Sequence, residues 1–123
     1  MKVKIDVYNT ILNIKIFKTT QELLKALKRY YKKLKIQEET ELECEGIIFF
    51  NPSNTDDCYL FIVEKNITIN TVSHEIYHLT NRMLLYKGMV LKIEDDEEHA
   101  ILNAFLNEKV IDLLIKNGYI ING

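Results

Sequence analysis

The stretch TVSHEIYHLTNRMLLYKG, from Thr71 to Gly88, decides how the rest of the chain is interpreted. At about 100° per residue, its apolar side chains fall on one side of a helix. These are Val72, Ile76, Leu79 and Met83. His74 and His78 project from the opposite side, so the segment predicts a helix with one face for packing and another that carries two imidazoles.

Two histidines four residues apart on a helix are typical of a metal site. Their Cβ atoms lie about 5–6 Å apart, so both rings can reach one Zn²⁺ at about 2.0–2.1 Å. Glu75 is turned about 100° from His74, which lets it flank the ion without binding it. A carboxylate there can take a proton from a metal-activated water and pass it to a leaving amine. The pattern His-Glu-x-x-His therefore favours a zinc site with Glu75 as general base over a chance pairing on a solvated helix.

Two histidines and a water leave a tetrahedral zinc site one protein ligand short. The acidic segment before the last predicted helix offers five candidates: Asp95, Asp96, Glu97, Glu98 and His99. Periodicity does not choose among them, because the helix that follows is apolar nearly all round. Such a helix is expected to be buried, so its first turn can pack over the histidine helix.

The remaining sequence predicts an α+β domain. Alternating residues, turn residues and helix caps indicate the following elements in order: strands 2–8 and 11–17 around a turn at Asn9-Thr10, a helix from Thr20 to about Lys35, strands 42–50 and 58–64 around a polar loop, a helix from Ile69 or Thr71 to Tyr86, and a helix from the acidic segment to about Lys116. The order β-β-α-β-β-α-α describes one domain, residues 1–123, with a small, mostly antiparallel sheet packed on helices.

Composition narrows the class of protein. With 47% hydrophobic and 28% charged residues, the chain of 123 residues is globular, and its net charge of −2 gives no field that would attract nucleic acid. No apolar run approaches the roughly 20 residues that cross a membrane. The start, MKVKIDVY, alternates like a strand and lacks the apolar core of a signal peptide, so we expect a cytoplasmic protein. Cys44 and Cys58 are then expected to be free thiols.

The residues TVSHEIYHLTNRM and DDEEHAILNAFL together resemble small gluzincin-type metallopeptidases of phages and mobile elements. These proteins share an HE-x-x-H-x-x-N helix followed by E-x-x-A, and the ImmA/IrrE-type peptidases are more distantly similar. The resemblance covers about Cys58 to Val110. It implies a minimal zincin-like domain in which His74, His78 and Glu97 bind zinc, although the adjacent Glu98 leaves the third ligand open by one position.

The resemblance also implies roles for other residues. Glu75 matches the general base, and Asn81 matches an asparagine one turn beyond His78 that could support the ligands or contact substrate. The segment CYLFIVE, residues 58–64, matches the edge strand beside the cleft, where a peptide could add as a further strand. No residue stands out as the oxyanion stabiliser, for which the candidates are Tyr59, Tyr86 and Tyr119.

The function implied is that of a zinc metallopeptidase, a hydrolase acting on a protein or peptide substrate. The alternative is a zinc-containing binding or regulatory protein without turnover, encoded by a phage or mobile element, which the short chain favours. A third hypothesis is a helix-rich interaction module whose histidines are incidental. The sequence leaves the substrate and the oligomeric state open.

Overall fold

The computed structural model describes residues 1–37, 46–89, 96–119 and 121. In these residues the secondary-structure elements follow the predicted order: β1 (Lys2–Ile5), β2 (Thr10–Phe17), α1 (Thr20–Leu34), β3 (Gly46–Asn51), β4 (Asn54–Val63), α2 (Ile69–Tyr86) and α3 (Glu97–Lys116). The α+β class is therefore confirmed. In the described part of the chain, none of the helices combines the length and apolarity that a membrane span requires.

The four strands form one sheet in the order β1-β2-β4-β3. The outer pairings, β1 with β2 and β3 with β4, are antiparallel, whereas the central pairing of β2 with β4 is parallel. The sheet is thus mixed, and its parallel centre was not foreseen. Helix α1 intervenes between β2 and the second hairpin, which is the kind of crossover that a parallel pairing needs.

Strand β4 lies inside the sheet, so the expectation that residues 58–64 form an edge strand is wrong. Its four consecutive apolar residues from Leu60 to Val63 are all fully buried, because helices cover both faces of the sheet. A continuous apolar run of this kind is typical of an internal strand. The edges of the sheet among the described residues are β1 and β3.

Helices pack on both faces of the sheet. Alternate residues of β3 separate the two cores: Ile48 and Phe50 face α2 and α3, whereas Phe49 faces α1. The core under α2 and α3 is the larger, and it also contains the buried residues of β1 and β2. This three-layer arrangement holds α2 directly against β3 and β4.

Helix α1 begins at the hydroxyl cap that the sequence predicts, and α2 begins at a cap that was not predicted. The Thr19 hydroxyl accepts a hydrogen bond from the Glu22 backbone at 3.1 Å, and the Thr68 hydroxyl accepts one from the Thr71 backbone at 3.0 Å. These bonds satisfy backbone donors that the first helical turn leaves unpaired. Helix α2 ends at Tyr86, and Gly88 follows with φ +77, a conformation that suits glycine.

Two element boundaries differ by three or four residues from the predicted ones, and a third lies outside the described residues. Strand β1 stops at Ile5, and a 3₁₀ turn (Asp6–Tyr8) precedes Asn9, whose φ of 50 is left-handed. Strand β4 starts four residues early, at Asn54, because cross-strand partners accommodate its polar residues. The Asp57 carboxylate, for example, accepts from Asn13 at 2.8 Å. Strand β3 is described from Gly46, so the predicted residues 42–45 lie outside the described part.

Helix α3 is only partly buried, which corrects the expectation of an all-round buried helix. Its buried residues repeat every four positions: Leu102, Leu106, Val110 and Leu114. Ile101 and Ile115, each 58% exposed, lie on another side of the helix. The spacing of apolar residues could not show which side of α3 is buried, because both sides of the helix carry apolar residues.

Candidate metal centre

Helix α2 has the two faces that its sequence predicts. The apolar face is buried, with at most 1% of each side chain exposed: Val72, Ile76, Leu79 and Met83. His74, His78 and Leu85 are exposed on the other side, and Asn81 beside them is half-buried. The apolar stripe fixes the rotation of the helix, because any other rotation would expose it to water. The same stripe therefore sets the direction of both imidazoles.

The two imidazoles converge. Their Nε2 atoms lie 3.1 Å apart, and the ring planes cross at 79° with centroids separated by 4.7 Å. Two nitrogens that each bind a tetrahedral Zn²⁺ at about 2.0–2.1 Å are separated by about 3.3–3.4 Å. The histidine pair therefore fits one zinc ion with only a small adjustment of the side chains.

Glu75 lies beside the pair but on the side of α2 that packs against the sheet. It is only 9% exposed, and a Cβ added at Gly46 of β3 would come within 3.3 Å of its Cγ. Burial raises the pKa of this carboxyl to about 6, and the charge of His74 offsets only part of that effect. A carboxyl that titrates near neutrality is suited to taking up and releasing a proton.

Glu97, the predicted third ligand, does not come together with the histidine pair in a metal-binding group. It is the first residue of α3 and is exposed. In the parts of the chain described, no three His, Cys, Asp or Glu side chains come together closely enough to hold a metal ion. The fit to zinc therefore extends to two protein ligands and not to a complete set.

The other candidates for the third ligand are placed as follows. Glu98 accepts a hydrogen bond from the Tyr8 hydroxyl at 2.8 Å, which directs its carboxylate towards the N-terminal turn. Asp96 is exposed, and Asp95 lies outside the described residues. His99 is the candidate that contacts α2, with its Nε2 2.6 Å from Asn81 Oδ1.

The contact between Asn81 and His99 ties the first turn of α3 to the helix that carries the histidine pair. The Tyr77 ring lies between the two elements, with its centroid 5.3 Å from that of His99 and 6.2 Å from that of His78. The resemblance implied that Asn81 supports the ligands or contacts substrate, and in the structure its side chain contacts His99. Tyr77 was not predicted here, because helical rotation alone turns this ring away from the imidazole pair.

A second polar contact deeper in the helix pair fixes its register. The fully buried Thr80 hydroxyl lies 2.8 Å from the Ile76 carbonyl and 3.2 Å from Asn103 Oδ1 of α3. Because Asn103 lies one turn after His99, while Thr80 precedes Asn81, the two helices run antiparallel. Antiparallel packing sets the first turn of α3 beside the C-terminal half of α2, beyond His78.

The tyrosines proposed as oxyanion stabilisers are engaged elsewhere. The Tyr59 hydroxyl donates to Asp57 at 2.8 Å, Tyr86 packs its ring on Phe50, and Tyr119 packs against the main core. Gly46 is a site residue that sequence reasoning missed. It carries no functional group, and its closeness to Glu75 arises from packing between segments 29 positions apart, so no local signal could have found it.

Comparisons of the chain with protein-family models, with curated proteins and with solved structures gave no match. Membership of the gluzincin-type family therefore stays an expectation from the motif. In the structure, the features that bear on it are the converging histidine pair and the neighbouring Glu75 carboxyl.

Proposed function

We propose that this chain is a zinc-dependent metallopeptidase with a minimal zincin-like fold. The observation that carries the proposal is the convergence of His74 and His78 Nε2 at 3.1 Å, beside a buried Glu75. His74 and His78 would hold the ion, and the resemblance assigns the third ligand to Glu97 or to the adjacent Glu98. Zinc, when bound, supplies a Lewis acid that polarises a carbonyl and acidifies a water molecule.

Glu75 is suited to the proton transfers of peptide hydrolysis. Its burial raises the carboxyl pKa to about 6, so near neutral pH it can accept a proton from water and later donate it to the leaving amine. Gly46 supports this role because its missing side chain leaves room for the Glu75 stem at the edge of the sheet. The carboxyl thereby stays next to the histidines instead of pointing into solvent.

Strand β3 is the edge strand that lies beside α2, and it takes the place that the resemblance assigned to residues 58–64. One side of β3 pairs with β4, and no described strand pairs with the other side. A peptide substrate adding there as a further strand would pass the Glu75 side of the motif helix. A protein or peptide is therefore the substrate class that we propose.

The first test is the metal content of untagged protein, measured by elemental analysis after purification without chelator. We expect one zinc per chain, lost in His74→Ala and His78→Ala and kept in His99→Ala, the matched control. The zinc affinities of Glu97→Gln and Glu98→Gln are compared to identify the third ligand. Only the variant that removes a ligand should bind zinc more weakly, by about tenfold or more.

The second test is hydrolysis of a broad peptide library by zinc-loaded protein, with Glu75→Gln as the decisive variant. We expect this variant to keep its zinc and to lose cleavage by at least about a hundredfold, because it cannot accept a proton. Cleavage that persists in Glu75→Gln would show that another residue or a contaminating protease is responsible.

The exposure of Glu97 away from the histidines favours the alternative, a zinc-containing binding or regulatory protein without turnover. Such a protein needs the metal to hold its structure or a partner and does not need Glu75 to transfer protons. Zinc-loaded protein that cleaves no library peptide would support this alternative, whereas cleavage abolished by a chelator and restored by zinc would exclude it.

A further inference from the structure

A groove of about 300 Å³ lies between the N-terminal 3₁₀ turn and the outer side of α3. Most of its lining is apolar: Ile5, Val7, Ile101, Leu102 and Phe105. We call it the N-terminal groove. It is separate from the histidine pair, because Glu98 at its margin points to Tyr8, whereas the adjacent His99 points to α2.

The apolar residues of the N-terminal groove are accessible to water. Val7 is 87% exposed, Ile101 is 58% exposed and Phe105 is 36% exposed. Helix α3 already buries its Leu102 face in the core, so these side chains are not needed for packing in the described fold. A grouped set of exposed apolar side chains around a cavity is typical of an interaction site.

The surroundings of the groove are acidic. Asp6 and Glu98 line it, and the exposed Asp96 and Glu97 share the same turn of α3 as Glu98. The lysine in the lining, Lys4, is 3.7 Å from Asp6, and this exposed pair is weak and easily rearranged. The four carboxylates outnumber the two cations at or beside the groove, Lys4 and Lys109, so the groove favours an occupant that carries positive charge.

The Phe105 ring already contacts a cation of its own helix. The Lys109 ammonium lies 5.7 Å from the ring centroid. A cation on a bound segment would have to displace Lys109 from this face of the ring. The preference for a positively charged occupant therefore depends on the carboxylates around the groove, and Phe105 contributes apolar contact.

We propose that the N-terminal groove docks a segment of another protein that presents apolar side chains flanked by lysine or arginine. The proposal applies to the metal-free chain, in which Glu98 lines the groove. This adds a recognition surface to the chain that does not depend on the proposed peptidase activity.

A second copy of the chain is a poorer occupant. Along α3 the seam that contains Ile101 and Phe105 continues, at spacings of three and four residues, through the exposed Glu108 and Asp112. Antiparallel pairing of two such helices would set Ile101 and Phe105 against carboxylates of the other copy. Burying those carboxylates without partners would cost more than the apolar contact returns.

The test uses three fluorescein-labelled heptapeptides and the full chain in buffer with a chelator. The first peptide alternates arginine with leucine and phenylalanine, the second replaces each arginine by glutamate, and the third replaces each apolar residue by serine. We expect saturable binding of the first peptide by fluorescence anisotropy, weakened by added salt, and affinities at least about tenfold lower for the other two.

Ile101→Ser and Ile115→Ser form a matched pair of variants, because both residues lie on α3 and each is 58% exposed. Only Ile101 lines the groove, so Ile101→Ser should weaken binding about tenfold and Ile115→Ser by less than about twofold. Val7→Ser, at an 87% exposed position, is a second variant that should not affect folding. Circular dichroism melts confirm that each variant is folded.

Three results would overturn the proposal. One is no saturable binding of the arginine peptide, and another is equal binding of all three peptides. The third is a dimer in light scattering that Ile101→Ser dissociates, which would make a second copy the occupant. Loss of zinc or of cleavage in other experiments would not bear on any of these outcomes, so the two proposals are tested separately.

Discussion

His74 and His78 direct their Nε2 atoms at each other across 3.1 Å on the exposed side of α2. The buried stripe on the other side of the helix holds this orientation. Two ring nitrogens at that distance can share a proton between them or point both lone pairs at one cation. The packing of α2 therefore brings the two imidazoles together without a contribution from α3.

Zinc should stabilise the folded chain through this pair. At free zinc about 100 times Kd, linkage contributes about 2.7 kcal/mol, which for a domain of this size raises Tm by about 10 °C. Scanning calorimetry with and without zinc measures the shift. His78→Ala should abolish it and His99→Ala should keep it; a shift lost equally in both variants would contradict binding at the pair.

Glu75→Gln should stabilise the metal-free protein at high pH. The folded pKa of Glu75, about 6, is raised above its usual 4.5, so the folded state holds this proton more tightly than the unfolded state. The associated stability is fully present below pH 4.5 and is lost as pH rises through 6. A pKa rise from 4.5 to about 6 corresponds to a change of roughly 2 kcal/mol in the free energy of unfolding. Residual access of water to the carboxyl reduces the expected change to about 1 kcal/mol.

Urea unfolding at pH 4 and pH 8, with a chelator present, measures this difference. Glu75→Gln should match the unsubstituted chain at pH 4 and exceed it at pH 8. Glu97→Gln, at an exposed carboxyl, should differ by less than about 0.5 kcal/mol at either pH. An unsubstituted chain that is the more stable at pH 8 would show that Glu75 has a favourable partner.

Gly46→Ala should disturb Glu75 through direct contact. The added methyl group would lie 3.3 Å from Glu75 Cγ and 3.4 Å from the Phe61 carbonyl oxygen, so the carboxyl must move. We expect a loss of about 1 kcal/mol of stability from overpacking, and a changed Glu75 titration by carbon-detected NMR.

Gly88→Ala is the matched control for that experiment. Gly88 has a φ of +77 and no atom within 4 Å of an added Cβ, so the cost there is backbone strain of about 1 kcal/mol. Both variants should therefore lose similar stability, and only Gly46→Ala should alter Glu75. Equal effects on the Glu75 titration would argue against the contact.

The Cys58 thiol should be inert in the folded protein. It is fully buried, and burial raises its pKa to about 12, so at pH 8 about one thiol in 10⁴ is ionised. In a Cys44→Ser chain, a disulfide reagent should react with Cys58 only after unfolding in guanidinium. Rapid stoichiometric reaction in native buffer would show that this part of the core opens readily.

Local patterns in the sequence predicted much of the fold. The rotation of α2, the cap at Thr19 and the glycine after α2 follow from side chains within one or two turns of each other. The buried run from Leu60 to Val63 also carried a signal for an internal strand. The resemblance pointed to an edge strand instead, and the sheet order shows that the local signal was the better guide.

Other features depended on contacts between distant segments. The parallel pairing of β2 with β4, the approach of Gly46 to Glu75, and the choice between the two apolar sides of α3 all arise from such contacts. The predicted Glu97 ligand belongs to the same group, because its position depends on how α3 packs on α2.

The sequence by itself determined that two imidazoles and a carboxyl share one helix, because helical periodicity relates residues four apart without reference to the rest of the chain. The tertiary structure alone decided which groups surround them: Gly46 against Glu75, and His99 against Asn81. The physical reason is that neighbours across elements are selected by burial of whole faces, which depends on every segment of the core at once.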